Sequence, residues 1–324
     1  MPQNVPAELA TGSVPSCVEK SVTKSSGLGT LYRKELADHL HSNRFFLLFA
    51  LLLLATSASL AGAIPNLSEA TSDSSEFLFL KLFTTGSSSI YSFATFVAFL
   101  GPLVGIALGF VSISSERARC TLNRLAAQPI YRDSIINAKF LAGATAICLI
   151  VFALGAYISG IGLILVGIPP SMEEVLRILV FLLLSCVYIS VWLALSILFS
   201  VLCRHAATAA LAGISIWLFL SLFMSLVASG IANSLYPLEG IEGLFNMEAN
   251  YNLDLALNRI SPYYLFSEAA TTILNPSVRS IGIITMNSLS AAVASSLSLG
   301  QSLLLIWPHL VAMIALAMAG FAVA

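Results

Sequence analysis

The sequence predicts an all-α integral membrane protein with six transmembrane helices. Three observations carry this reading. Of the 324 residues, 58% are hydrophobic and only 10% are charged, and the mean hydropathy of +0.92 lies far outside the range of soluble domains. The apolar residues also fall into six long runs, each matching the roughly 20 residues a helix needs to cross a bilayer core. The runs are Phe45–Ile64, Ile90–Ile113, Phe140–Ile168, Leu176–Leu202, Thr208–Ala232 and Leu303–Ala324. They are continuously apolar rather than alternating, which suits helices that satisfy their own backbone and not the strands of a barrel.

Taken in order, residues 1–30 are rich in Ser, Thr, Gly and Pro without an apolar period and are expected to form a disordered tail. The structured membrane domain is expected over 31–324. From Leu31 to Phe46, LYRKELADHLHSNRFF sets leucines and phenylalanines among charges, as an interfacial amphipathic helix does. A plain basic flank is the simpler alternative. The first apolar run begins well inside the chain and exceeds the h-region of a signal peptide, so it is expected to stay as an anchor. The second run contains GPLVGIALG, with Gly101, Gly105 and Gly109 at four-residue spacing on one face. Small residues there let two helix backbones approach closely, and packing within the bundle is favoured over a dimer seam. Pro102 is expected to add a local kink.

Pro169 and Pro170 turn the chain between the third and fourth runs. Residues 233–302 form the long outer segment between helices five and six. It contains YNLDLALNRI and SPYYLFSEAATTILNPSVR, read as short helices lying on the outer leaflet, with Tyr251, Tyr263, Tyr264 and Phe266 at the membrane surface. A substrate-binding cap is the alternative. The sixth run reaches Ala324 with no basic residues after it, which leaves open a very short tail or a trimmed sequence.

Basic residues are retained on the cytoplasmic side of membrane proteins. Eleven of the fifteen, Lys20, Lys24, Arg33, Lys34, Arg44, Arg117, Arg119, Arg124, Arg132, Lys139 and Arg204, precede the first run or fall between runs two and three or four and five. The other side holds Lys81, Arg177, Arg259 and Arg279 with most of the acids. The N-terminus is therefore expected to be cytoplasmic. The cysteines at 17, 120, 148, 186 and 203 have no CxxC spacing and read as free thiols.

Several chemistries find no support. There is no GxxxxGK[ST] loop to cradle nucleotide phosphates, and no HExxH or GxSxG. The runs carry almost no acids or bases at mid-depth, which argues against a proton or sodium relay. His309, after Trp307 and Pro308, reads as an interfacial residue beside a proline kink. Met224, Met247 and Met286 are scattered, so copper handling has little basis, and no metal site is expected.

Residues 114–139, SSERARCTLNRLAAQPIYRDSIINAK, hold five of the fifteen basic residues. As a helix from Ser115 to Ala127, this segment places Ala118, Leu122, Leu125 and Ala126 on one side, with Glu116, Arg117, Asn123 and Arg124 on the others. Pro129 ends it, and Asp133-Ser134 supplies capping side chains for helix three. A positive-inside loop on anionic lipid is the plain alternative.

This segment resembles the first cytoplasmic loop of ABC-2 type permeases, the type V exporter-like membrane subunits of ATP-binding-cassette transporters. The matching elements are Ser115, Glu116, Arg117, Thr121, Leu122, Pro129, Arg132 and Lys139, with Cys120 and Asn123 departing from the usual Gly and acid. RKEL at Arg33, Lys34, Glu35 and Leu36 is similar to the family's amino-terminal elbow helix. The resemblance implies that 114–139 includes a coupling helix docking on a separate cytoplasmic ABC ATPase subunit, with Leu122 and Leu125 as buried anchors. Glu116, Arg117 and Arg124 would then form a polar rim. It implies two permeases, identical or paralogous, and two ATPases in a prokaryotic plasma membrane. ATP and Mg²⁺ would sit on the partner, with no cofactor on this chain. Membrane lipid is the other expected partner, and nucleic acid is not one. Export of a substrate is the leading expectation. The alternatives are a mechanotransmitting permease, similar to the one serving copper-site maturation of nitrous oxide reductase, and an intramembrane enzyme or scaffold.

Overall fold

The computed structural model describes residues 27–70, 77–85, 91–118, 132–167, 169–276 and 297–323. Among them every regular element is a helix. Among the described residues, six stretches are long and apolar enough to cross a membrane: Asn43–Ala63, Phe93–Ala118, Ser134–Ile164, Met172–Leu202, Ala206–Leu235 and Leu299–Val323. Each overlaps one of the six apolar runs.

The first helix, α1 (Gly27–Leu40), begins four residues before the expected boundary at Leu31 and is separated from α2 (Asn43–Ala70) by a turn at His41-Ser42. There the Ser42 hydroxyl accepts from the Phe45 amide and donates to the His39 carbonyl, so the break has its own polar partners. Leu31 packs on Ile135 and Ala138, and the Tyr32 hydroxyl meets Thr145 Oγ1 at 2.9 Å. Those contacts lay α1 along the foot of α6 (Arg132–Val166). With 35 residues, α6 is about 52 Å long, well beyond the roughly 30 Å hydrocarbon core. Because α6 starts at Arg132, Asp133 and Ser134 lie inside its first turn rather than capping it from outside, which corrects the expected cap.

A short helix, α3 (Leu78–Thr84), enters the core with Phe79, Leu80, Leu82 and Phe83 all buried. It was not foreseen, because seven residues between polar stretches are too few to show a period. The second span is α4 (Phe93–Gly109), which continues unbroken through Pro102, and α5 (Ser114–Ala118) follows after one turn.

The centre of the bundle is α7 (Met172–Leu202). It starts four residues before the apolar run at Leu176, because Ser171 and Glu174 form a reciprocal capping box. Two-thirds of its apolar window (67%) is buried, against 17% for each of the last two spans, so neighbours pack around α7. Down the seam with α4, Tyr188 donates to the Ala98 carbonyl at 2.7 Å, and Ser196 donates to the Ile106 carbonyl at 3.0 Å. The residue numbers rise together, so the two helices run parallel.

Gly101, Gly105 and Gly109 face that seam. A Cβ on Gly105 would lie 2.6 Å from the Ile189 carbonyl oxygen, and one on Gly109 2.7 Å from Ser196 Cβ. A backbone atom cannot step aside as a side chain can. Gly105→Leu is therefore expected to force α4 and α7 apart at a cost of roughly 1–3 kcal/mol or more, measured as a lower thermal unfolding midpoint in detergent.

The fifth span comprises α8 (Ala206–Leu218), a π-helical turn (Phe219–Phe223) and α9 (Met224–Leu235). The two helices after it do not lie flat on the outer leaflet, which corrects that expectation. Helix α10 (Gly240–Asn258) doubles back along α9. Asn246 Nδ2 reaches the Pro237 carbonyl, Asn250 Nδ2 reaches Asn233 Oδ1, and Ser261 Oγ donates to the Leu220 carbonyl at 2.7 Å. Partners on the fifth span recede as residues on α10 advance, which defines an antiparallel hairpin whose tip lies level with the middle of that span. The π turn there leaves a backbone acceptor for Ser261. Helix α11 (Pro262–Leu274) then returns, stacking Phe266 on Tyr188 halfway along α7, with ring centroids 4.4 Å apart. The last span is α12 (Leu299–Val323), which packs beside α7 and α11.

Candidate functional site

At the face carrying α1, charged side chains from three elements meet on one ammonium group. Lys139 lies on the first turns of α6, its side chain 3% exposed. Its Nζ donates to Glu35 Oε2 on α1 at 2.9 Å and to Glu116 Oε1 on α5 at 2.8 Å. Lys34 adds a contact to Glu35 Oε1 at 3.2 Å. Helix α1, helix α5 and the foot of the third span are thus joined through one buried cation. A buried charge is tolerated only with such pairing.

A second set of bonds ties α5 to the end of α7. Ser200 Oγ, fully buried, accepts from the Ile113 and Ser114 amides at 3.0 Å each. These amides follow the end of α4 and would otherwise be unpaired helix-end groups. Arg117 donates to the carbonyls of Cys203 and Val201, the last acceptors of α7, where a cation also suits the helix dipole. Ser115 bonds back to the Val111 carbonyl at 2.7 Å. Displacement of α5 therefore pulls on α1, α6 and α7 together.

Burial alone would raise the Glu35 carboxyl, but the Lys139 ammonium, assisted by Lys34, outweighs it and holds the group below its ordinary value of 4.5. The stability this pairing gives is full above that ordinary value and is lost as pH falls through the depressed one. Acid titration below about pH 4.5 is expected to loosen α1 first, seen as loss of amide protection over 27–40 ahead of the α4–α7 seam.

The site residues expected from the sequence divide as follows. Ser115, Glu116 and Arg117 stand in this junction with Glu35 and Lys34, while Arg33 is exposed on α1. Arg132 opens α6. Thr121, Leu122, Arg124, Leu125 and Pro129 lie outside the described residues, as does most of the expected coupling helix.

Two further clusters lie toward the opposite end of the bundle. Arg177 on α7 is completely buried. It donates to Glu173 Oε1 (2.8 Å), the Ile273 carbonyl (3.0 Å), Ser302 Oγ (3.2 Å) and the Leu297 carbonyl (2.6 Å), and its guanidinium lies over the Phe77 ring. Beside it, Glu174 accepts from the Phe79 amide at 2.9 Å and so fixes α3. Deeper in, Glu268 on α11 takes a two-pronged contact from Arg259 and a 2.7 Å contact from His309 on α12. Sequence reading placed Arg177 and Arg259 in outer segments and His309 at an interface. Apart from Glu173, one turn away, the partners of Arg177 lie 96 to 125 residues away, and that of His309 lies 41 away, beyond any local pattern.

A chain whose described elements are all helical, with six described helices of membrane length, a charged junction at one face and a packed centre, is a multi-pass membrane protein. The family model for ABC-2 family transporter proteins matches residues 30–324, nearly the whole chain, and the protein belongs to that family. It is thus a transporter membrane protein. No curated protein matches the chain individually.

Proposed function

We propose that the protein is the permease subunit of an ATP-binding-cassette exporter, driven by a separate cytoplasmic ATPase subunit that binds ATP and Mg²⁺. In this reading the α1 face is cytoplasmic, the membrane is a prokaryotic plasma membrane, and α5 opens the helix on which the ATPase docks. The observation that carries it is the Lys139 junction, within a chain of the ABC-2 family. A push on the segment after α5 reaches the elbow helix and third span through Lys139, and the central span through Ser200 and Arg117. Rigid helices then transmit the displacement to the far end of the bundle.

A second permease, identical or paralogous, completes the transporter. The apolar cavity among Leu52, Thr56, Phe93, Val97, Gly101 and Ile189 holds about 10 Å³, room for roughly one water. In this reading the cargo path runs between the two copies. The fifth and sixth spans, with only 17% of their windows buried, offer surface for that partner and for lipid.

The test is Arg117→Glu combined with Leu122→Asp, expressed with the partner ATPase subunit this reading requires. The double variant is expected to lose co-purification of the ATPase by at least about tenfold, the effect of removing a hot-spot contact, while remaining folded. Undiminished co-purification and transport would contradict the docking assignment.

A further inference from the structure

Two thiols from different spans meet in the middle of the bundle. Cys148 on α6 and Cys186 on α7 share a hydrogen bond between their side chains, and each stands beside the midpoint of its span. The contact belongs to a continuous antiparallel seam. A Cβ on Gly143 would lie 2.8 Å from Leu193 Cδ2, and one on Gly155 would lie 2.6 Å from Leu182 Cδ1. Partners on α7 recede as residues on α6 advance, from 143 with 193, through 148 with 186, to 155 with 182. The glycines on either side of the pair draw the helices together, and two sulfurs in contact across such a seam can bond with small shifts of their own side chains.

The two thiols are not equivalent. Cys186 is part of the core, with 5% of its surface exposed, whereas Cys148 is half-buried and borders the outward-facing Leu149 and Phe152. A molecule dissolved among the acyl chains therefore reaches Cys148 and not Cys186. The surroundings also select the oxidant. Oxidation of a thiol by aqueous peroxide starts from the thiolate, and an anion without a counter-charge is costly at mid-bilayer. Among the described residues no cation bears on either sulfur. Hydrogen-atom transfer moves no net charge, so the reagent that suits a pair of neutral thiols in hydrocarbon is a phospholipid peroxyl radical.

We propose that Cys148 and Cys186 form a redox site that gives two hydrogen atoms to lipid peroxyl radicals and closes to a disulfide tying the third span to the central one. A first peroxyl radical takes the sulfur-bound hydrogen of Cys148, leaving a hydroperoxide and a Cys148 thiyl. The Cys186 thiol passes its hydrogen atom across the contact, which moves the radical to the buried sulfur and restores the Cys148 thiol. A second peroxyl radical takes that hydrogen in turn. The two thiyls then pair their electrons in one S–S bond, so two thiols and two peroxyl radicals give one disulfide and two hydroperoxides. Cys203, about five turns along α7, is too distant to serve as a partner. The bond fixes α6 against α7 between the Lys139 junction and the Arg177 cluster.

The test needs no ATPase, so its failure and that of the permease reading are distinguishable. The full chain, with Cys17, Cys120 and Cys203 replaced by Ser, is placed in nanodiscs of polyunsaturated phospholipid and exposed to a lipid-soluble azo initiator, which generates peroxyl radicals among the acyl chains. Peptide mass spectrometry is expected to show both thiols lost together and a 148–186 disulfide formed, which a phosphine reductant reopens. Hydrogen peroxide added to the aqueous phase is expected to leave most of the pair reduced. The linked protein is expected to unfold several degrees above the reduced one. Cys186→Ala is expected to lose both the linkage and the shift, and Cys148→Ala serves equally should that variant fail to fold. Thiols that survive while the lipid is oxidised, a disulfide formed as readily by aqueous peroxide, or a linked pair with an unchanged midpoint overturns the proposal.

Discussion

Lys139→Ala is expected to lower stability by about 3–5 kcal/mol, the cost of breaking a buried ion pair from one side, and to uncouple ATP hydrolysis from transport. The substitution takes the shared cation from two carboxylates, Glu35 and Glu116, with side chains only 10% and 16% exposed. Both effects are measurable, the first as a fall in the thermal midpoint and the second as ATPase activity that no longer responds to cargo. A companion variant separates them. Lys139→Met with Glu35→Gln and Glu116→Gln removes the three buried charges at once, leaving only the exposed Lys34, and replacing a buried ionic cluster is often neutral. The triple variant is expected to recover most of the stability while remaining uncoupled, because neutral side chains would no longer draw α1, α5 and α6 together. Recovery of coupling as well would mean that packing, not the shared ammonium, links the three helices.

The second large effect is expected at the other end of the bundle. Arg177 has no exposed surface and contacts four partners: the α7 start, the end of α11, the residue leading into α12 and α12 itself. Arg177→Lys keeps the charge but not the planar fork, and one ammonium cannot span carbonyls on separate elements. A loss of roughly 3–5 kcal/mol is expected, comparable with breaking other buried networks. It should appear as early proteolysis at the α11–α12 connection while ATPase co-purification persists. That contrast with the Lys139 variants would give the two clusters different roles: in the proposed transporter one joins the bundle to its motor, and the other packs the opposite end together.

How much of this was legible depended on the range over which each signal acts. The six spans were readable because a bilayer imposes a length on every apolar run. Their ends were less so: α7 starts early through the Ser171–Glu174 box, and α6 starts at Arg132 because a helix longer than the bilayer can continue into polar sequence. The glycine spacing in α4 was visible, but the identity of the facing helix, and the Ile189 carbonyl that Gly105 abuts, was not. Lys139 stood out as the basic foot of helix three, while its bond to Glu35, 104 residues earlier, left no trace in local pattern.

The hairpin was misread for a physical reason. Arg259, Ser261 and Glu268 look like solvent-facing residues of an outer segment until their partners are known. Arg259 and Glu268 satisfy each other, and Ser261 is satisfied by a carbonyl in the π turn of another helix. Scanning the spans for charge therefore missed an ionic cluster at mid-depth, because its acid arrives on a helix too short to count as a span.

The most direct test of the central claim is a photo-crosslinker at Ala118, the exposed last residue of α5, in the membrane complex with the ATPase subunit. Efficient capture of the ATPase is predicted there, and none from the exposed Met172 at the opposite end of the bundle. Capture from Met172, or none from Ala118 in a complex that hydrolyses ATP, would contradict the assignment of the Lys139 face as the motor-binding side.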